Sequence, residues 1–304
     1  MTIVGLREIL DPALQHGYAV GYFEAWDQYS LEAVIEAAEE QEAPAILGFG
    51  AAVTNPVWLE AGGIEELAAL ARVLADRSNV PAAVLCNEAQ TLEQAMRAIG
   101  AGCNCVMLDT SHLAWEENVA VTRDIVRAAH AAGVEVEAEL GQLPNAGGPA
   151  GEAGQVTDPE QAAQFVQTTG IDALAVSVGN VHLLSEGEAV LDLDLLGRLR
   201  QEARVPLVLH GGTGIPAGAI RPAITRGVAK VNYGTRLKQV FLAGVREAVA
   251  TLSEPLNVHQ FIGSRYDTDI LVAGQRRMKR LLRDLIRLYG SAGQARPTVS
   301  SGEG

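Results

Sequence analysis

The sequence predicts a (β/α)8 barrel with additional C-terminal helices, and three observations carry that expectation. Short aliphatic runs alternate eight times with stretches of helical periodicity, as fully buried parallel strands and their return helices do. The alternation fills about 250 residues, the size of one closed barrel. Several runs end in a polar side chain followed closely by glycine, which suits strands that carry reactive groups at their carboxyl ends. The chain has 304 residues, 48% of them hydrophobic, enough to bury such a core.

After an amphipathic opening that ends near His16, residues 18–24 read as the first strand and 30–41 as a helix with Ser30 as its N-cap. The second strand is 44–49, followed by a helix over 63–75, a third strand over 81–86 and a helix over 91–99. A fourth strand over 105–109 precedes a helix over 118–132, and a fifth over 134–140 alternates in character. Asp158 and Pro159 cap the next helix, because proline suits a first helical turn. Strand six spans 173–178, a helix spans 194–203, and strands seven and eight span 205–210 and 228–232. Residues 1–254 are thus expected to be the barrel. In 255–292, Ile270, Leu271, Met278, Leu281, Leu282, Leu285 and Ile286 recur at helical spacing and predict a helical extension. The polar, glycine-rich stretch 293–304 is expected to be disordered.

Charge and composition exclude several partners. Lys and Arg total 23 against 37 Asp and Glu, and a net charge of −14 argues against nucleic acid and against an anionic membrane surface. The opening residues lack the pattern of a signal peptide and no run reaches membrane-spanning length, so a cytoplasmic location is expected. Cys86, Cys103 and Cys105 form no CxxC pair and read as reduced, buried residues.

The chemistry gathers at the predicted strand ends. His210 closes strand seven and is followed by Gly211-Gly-Thr-Gly214; strand eight ends at Asn232 and runs into Tyr233-Gly-Thr235. Open backbone amides at these glycines, with Thr213, Asn232 and Thr235, suit an anion such as phosphate. His182, after strand six, lies on the adjacent rim position, and two imidazoles so placed suit a divalent metal. Strand three ends in Cys86-Asn87-Glu88, so Glu88 can complete a two-His, one-carboxylate set with open coordination positions. His112 reads as a helix-entry residue, and Asp109 as a group that orients a ligand. Glu135, Glu137 and Glu139 share one face of strand five, and only Glu139, nearest the rim, is expected to serve the site. The glycine-rich segment 141–155 suits a mobile lid that carries Glu152 as a general base.

These residues resemble the class II, metal-dependent ketose-bisphosphate aldolases. The resemblance is most specific in Val106-Met-Leu-Asp-Thr-Ser-His-Leu-Ala-Trp-Glu-Glu-Asn118, Val136-Glu-Ala-Glu-Leu-Gly141, Thr157-Asp-Pro159 and Leu209-His-Gly-Gly-Thr-Gly-Ile-Pro216. It implies a TIM barrel, a homodimer or homotetramer, and zinc that polarises a substrate carbonyl and stabilises an enediolate. His182 and His210 match metal ligands of the family; Gly179, Gly211, Gly212, Thr213, Asn232 and Thr235 match its substrate- and phosphate-binding positions; Glu152 matches its mobile loop.

The departures are as informative. Where the family has Leu-Asp-His after strand three, this chain has Cys86-Asn87-Glu88, so the acid/base aspartate becomes a carboxamide and a histidine ligand becomes a carboxylate. A carboxylate ligand also suits manganese or another divalent ion. Leu183 and Glu186 stand where the family commonly has glycine and a phosphate-holding lysine, and Glu24-Ala-Trp-Asp27 replaces an asparagine-rich segment. Arg236 stands where the family tends to carry an acid. The sequence therefore predicts a metal-dependent lyase acting on a sugar or sugar phosphate other than a standard ketose bisphosphate. Asn87 would orient a hydroxyl. An isomerase or epimerase using the same enediolate, and a noncatalytic sugar-binding or regulatory paralogue, are the alternatives.

Overall fold

A computed structural model describes residues 2–146, 154–184 and 186–295. Helix α1 (Leu6–His16) leads into β1 (Val20–Phe23), α2 (Gln28–Glu40) and β2 (Ala45–Gly50). A short α3 (Pro56–Trp58) and a π turn (Leu59–Gly63) enter α4 (Ile64–Arg77), then β3 (Ala82–Ala89), α5 (Leu92–Gly100) and β4 (Cys105–Leu108). The chain continues through α6 (Trp115–Ala131), β5 (Glu135–Leu140), α7 (Pro159–Thr169), β6 (Ala173–Val176), α8 (Leu193–Ala203) and β7 (Leu207–Leu209). A 3-10 turn (Gly212–Gly214), α9 (Ala217–Ile224), β8 (Val228–Tyr233), α10 (Thr235–Val249), α11 (Val258–Phe261) and α12 (Ile270–Tyr289) complete it. The strands close into an eight-stranded barrel in chain order, every pair parallel. This is the predicted TIM barrel.

Two apolar layers follow from the period-two alternation of strand side chains. The outer layer packs strand residues such as Phe49, Val84, Val136 and Leu209 against the helices. The inner layer holds Val20, Tyr22, Ile46, Leu85 and Val208, with alanines 83, 173, 175 and 229 leaving room for the larger side chains. Leu6, Ile9, Leu10 and Ala13 of α1 join this inner layer, so α1 plugs the amino-terminal end of the barrel. The opposite end stays open. Inward positions near it are Tyr22 on β1 and Glu24 just after it, Asn87 on β3, Glu137 and Glu139 on β5, and Lys230 and Asn232 on β8.

Several boundaries differ from the sequence reading, and three are informative. Helix α2 starts earlier than Ser30, because Asp27 is the N-cap: its carboxylate accepts from Ser30 N at 2.8 Å while Ser30 Oγ accepts from Asp27 N at 2.9 Å. The extension after 255 is mostly irregular until Asp269 caps α12 by accepting from Leu271 N at 2.9 Å. Beyond α12 the described chain runs to 295, where Gly293 N and Ala295 N donate to the carbonyls of Gln41 and Glu42 at 2.8 and 2.7 Å. The rest of the predicted tail, 296–304, lies outside the described residues. Helix α12 seals β1 and packs on α2, where Lys279 reaches Glu36 at 2.8 Å and Glu40 at 3.0 Å.

Asp27→Ala removes a reciprocal cap and is expected to cost about 1 kcal/mol of stability. Urea unfolding checks this as a lower midpoint at unchanged slope.

Candidate metal centre and substrate pocket

Glu88, His182 and His210 meet at the open end of the barrel although they come from three separate strand ends. His210 Nδ1 lies 3.2 Å from His182 Nε2 and 3.2 Å from Glu88 Oε1, and His182 Nε2 lies 3.8 Å from the same oxygen. Donor atoms on a tetrahedral ion at ordinary bond lengths stand about 3.4 Å apart, so the spacing fits one divalent cation. Glu139 Oε2, 3.4 Å from His210 Nδ1, adds a fourth Lewis base.

Local structure explains each placement. Strand β3 shifts register between Cys86 and Ala89, and Glu88 takes a left-handed backbone with φ +54. Strict alternation would turn Glu88 away from the side Asn87 faces; the bulge brings both to the pocket. Buried Asn180 organises the two histidine loops: its Oδ1 accepts from Val178 N at 2.9 Å, and its Nδ2 donates to the His210 carbonyl at 3.1 Å. His182 is tied to the start of the glycine-rich segment, its N–H donating to Pro144 O at 2.9 Å and its carbonyl accepting from Ala146 N at 3.0 Å.

The far nitrogen of His210 sets its electronic state. His210 Nε2 stands 2.9 Å from Glu137 Oε1, and Lys230 Nζ lies 2.8 Å from Glu137 Oε2, all three side chains being buried. With Nε2 donating to Glu137, the neutral ring presents the Nδ1 lone pair to Glu88, His182 and Glu139. Several lone pairs then converge on one point, the arrangement a cation reconciles. In the metal-free protein a proton takes that part. Burial opposes charge on His210, but its bonds to Glu137 and Glu88 and the charge of Glu139 push it up to about 10. Burial alone would raise Glu88, yet the His210 bond and the charges of both histidines pull it down to about 2. Burial drives Glu139 up to about 8 and lowers His182.

A cavity of about 280 Å³ opens beside this cluster. Asn87, Glu88, His182, His210, Gly211, Gly212, Thr213, Asn232 and Thr235 all line it, and so do Tyr22, Glu24 and Asp109. Gly211 has φ +68, and a Cβ there would meet Val181 O at 2.1 Å, so only glycine lets the two rim loops approach this closely. Thr213 Oγ1 accepts from Arg236 N at 3.3 Å and joins the loop after β7 to α10. Arg236 itself turns to Gln239 on its own helix. Gly179 is not among the lining residues; its φ of +100 and the nearness of Val190 O explain the glycine there. Asn232 points inward, accepting from Lys230 Nζ at 2.5 Å and donating to Asn87 Oδ1 at 3.5 Å. Glu152 lies outside the described residues. His112 takes no part in the cluster, and Asp109 accepts from Ser111 Oγ at 2.8 Å beside it.

Sequence reasoning missed Glu137, Lys230, Tyr22 and Asn180. A lysine inside the aliphatic run Val228-Ala-Lys-Val was the available signal, since a buried lysine demands a buried acid, and the acidic face of strand five supplied one.

Comparison with known proteins places these features in context. A family model described as fructose-bisphosphate aldolase class-II matches residues 4–294. A fructose-bisphosphate aldolase of Geobacillus stearothermophilus is 35% identical over 301 residues, covering 97% of this chain and 99% of that protein. One of Staphylococcus aureus (strain MW2) is 32% identical over 299 residues, covering 97% of this chain and all (100%) of that protein. Among solved structures, the YdjI aldolase from Escherichia coli K12 superposes with a TM-score of 0.80 at 31% identity, over 97% of this chain and 100% of that one.

Because His210 carries a proton up to about pH 10 when folded and only to about 6.5 when unfolded, the folded state holds more protons across that window. Chelator-treated protein is therefore expected to lose stability as pH rises from about 6.5 towards about 10, which thermal unfolding across pH checks.

Proposed function

The chain belongs to the class II fructose-bisphosphate aldolase family, and on that premise we propose a divalent-metal-dependent lyase that cleaves or forms a carbon–carbon bond of a ketose or related hydroxy-carbonyl compound through an enediolate. The observation that carries this reading is the convergence of Glu88, His182 and His210 on one point at the mouth of the barrel. These three residues would hold the ion, with Glu139 beside them. A bound ion supplies Lewis-acid polarisation of the substrate carbonyl.

The protein's own groups position the substrate. Asn87, 3% exposed, presents a carboxamide that binds a substrate hydroxyl but exchanges no proton with it. Gly211, Gly212, Thr213 and Thr235 offer amides and hydroxyls to the other end of the molecule. We assign proton movement at the enediolate carbon to Glu152 on sequence grounds alone. The two imidazoles suit zinc, and the added carboxylates suit manganese as well. A homodimer or homotetramer in the cytoplasm fits the reading. Val258, Ile262 and Leu242, more than half exposed, offer apolar surface for a subunit contact.

Asn87 also favours a second reading. An isomerase or epimerase needs the enediolate and no acid/base group for carbon–carbon scission, which is the part of the apparatus this site lacks.

Elemental analysis of purified protein is expected to find about one divalent ion per chain, lost in both His182→Ala and His210→Ala. A wild type that takes up no metal on reconstitution defeats the proposal. Asn87→Asp restores a proton-exchanging group and is expected to raise the rate of ketose cleavage by about 10²-fold or more. Isomerised product from the wild type, with no gain of cleavage in the variant, would select the second reading.

A further inference from the structure

The pocket carries negative charge where the family resemblance places a phosphate. Among the described lining residues there is no Lys or Arg, while Glu24, Glu88 and Asp109 are all present. Two of these carboxylates sit at or beside the metal cluster. Glu24 does not.

Glu24 follows β1 and, two positions beyond Tyr22, faces inward at the rim between the ends of β2 and β8. Its N–H donates to Tyr233 O at 3.1 Å. A Cβ placed on Gly234 would come within 2.6 Å of Glu24 Oε2, and one on Gly50 within 3.4 Å of Glu24 Cδ. The carboxylate therefore lies against the loop that opens the 15-residue helix α10, whose amino-terminal end favours negative charge. Lys238, one turn into that helix, is a cation beside this cradle, and it is taken: its Nζ lies 2.5 Å from Glu24 Oε1 and over the Trp26 ring at 5.6 Å. A protein carboxylate thus occupies the place of an incoming anion, already paired with the cation that anion would use.

We infer that Glu24 is a specificity-determining residue, which makes the cradle formed by the 211–213 and 233–235 loops accept the hydroxyl-bearing end of an unphosphorylated ketose and reject a phosphate. The inference rests on the aldolase reading above and names its substrate class. A phosphate has acceptor oxygens and a double negative charge, so it meets Glu24 as a like charge in a partly desolvated site. A hydroxyl donates to the same carboxylate. Tyr22 supplies a second polar group of this kind on the same strand face: it lines the cavity, is 1% exposed, and its hydroxyl has no hydrogen-bond partner among the described residues.

The test is calorimetric titration of the full-length protein, as purified, with inorganic phosphate. Glu24→Gln is expected to bind phosphate at least about tenfold more tightly than wild type, because it removes the like charge and releases Lys238. Adding Lys238→Met to that variant is expected to abolish the gain. Equal phosphate affinity in wild type and Glu24→Gln overturns the inference. A measurement on wild type alone guards against a variant that fails to fold: dihydroxyacetone is expected to bind at least as tightly as its phosphate ester, and an ester that binds tenfold more tightly overturns the inference. The phosphate comparison requires no turnover. A protein that cleaves no ketose would defeat the aldolase reading and leave the effect of Glu24 on anion binding to be read separately.

Discussion

The buried carboxylate of Glu137 is the interaction on which the pocket depends. A charge with no solvent access is tolerated only when paired, and Glu137 is paired twice, with Lys230 and with His210. Through His210 it decides which ring nitrogen faces the pocket. Through Lys230 it fixes Asn232, and Asn232 in turn touches Asn87. One acid on β5 thus positions groups at the ends of β3, β7 and β8. The lysine is itself seated over the Tyr22 ring, 5.0 Å from its centroid, so β1 joins the same network.

The supports of the two histidines lie mostly outside β3. The two histidines are fixed from beneath and beside, by Glu137, by Asn180 and by backbone bonds to residues 144–146, none of which involves β3. Glu88 joins them separately, from the end of β3, and meets His210 Nδ1 at 3.2 Å. The bulge supplies the required geometry at the cost of a left-handed backbone at a non-glycine residue.

Much of this was legible in the chain. Fully buried parallel strands read as aliphatic runs, and seven of the eight were visible for that reason, β5 showing instead by its alternation; His182, His210 and Glu88 stood out at or just past strand ends. What escaped depends on distance or on broken periodicity. Glu137 looked like one of three equivalent acids, because nothing local distinguishes it from Glu135, which instead accepts from Arg7 N at 2.9 Å at the start of α1. The pairing with Lys230 spans 93 residues. The turn of Glu88 towards the pocket depends on a bulge that its own sequence does not announce. Ser30 was misread as a cap because Asp27, three residues earlier, is the better acceptor for a free helix N–H.

The backbone bridge between His182 and residues 144–146 has a thermodynamic corollary. Two hydrogen bonds make His182 and residues 144–146 of the glycine-rich segment a single mechanical unit. Whatever displaces residues 144–146 pulls on that imidazole, and whatever anchors the imidazole steadies those residues. Linkage makes the two effects equal. The conformational preference of the pocket wall and the placement of the imidazole are then one equilibrium seen from two ends, and any cation that His182 helped to hold would bias the wall by the same free energy by which the wall biased its affinity.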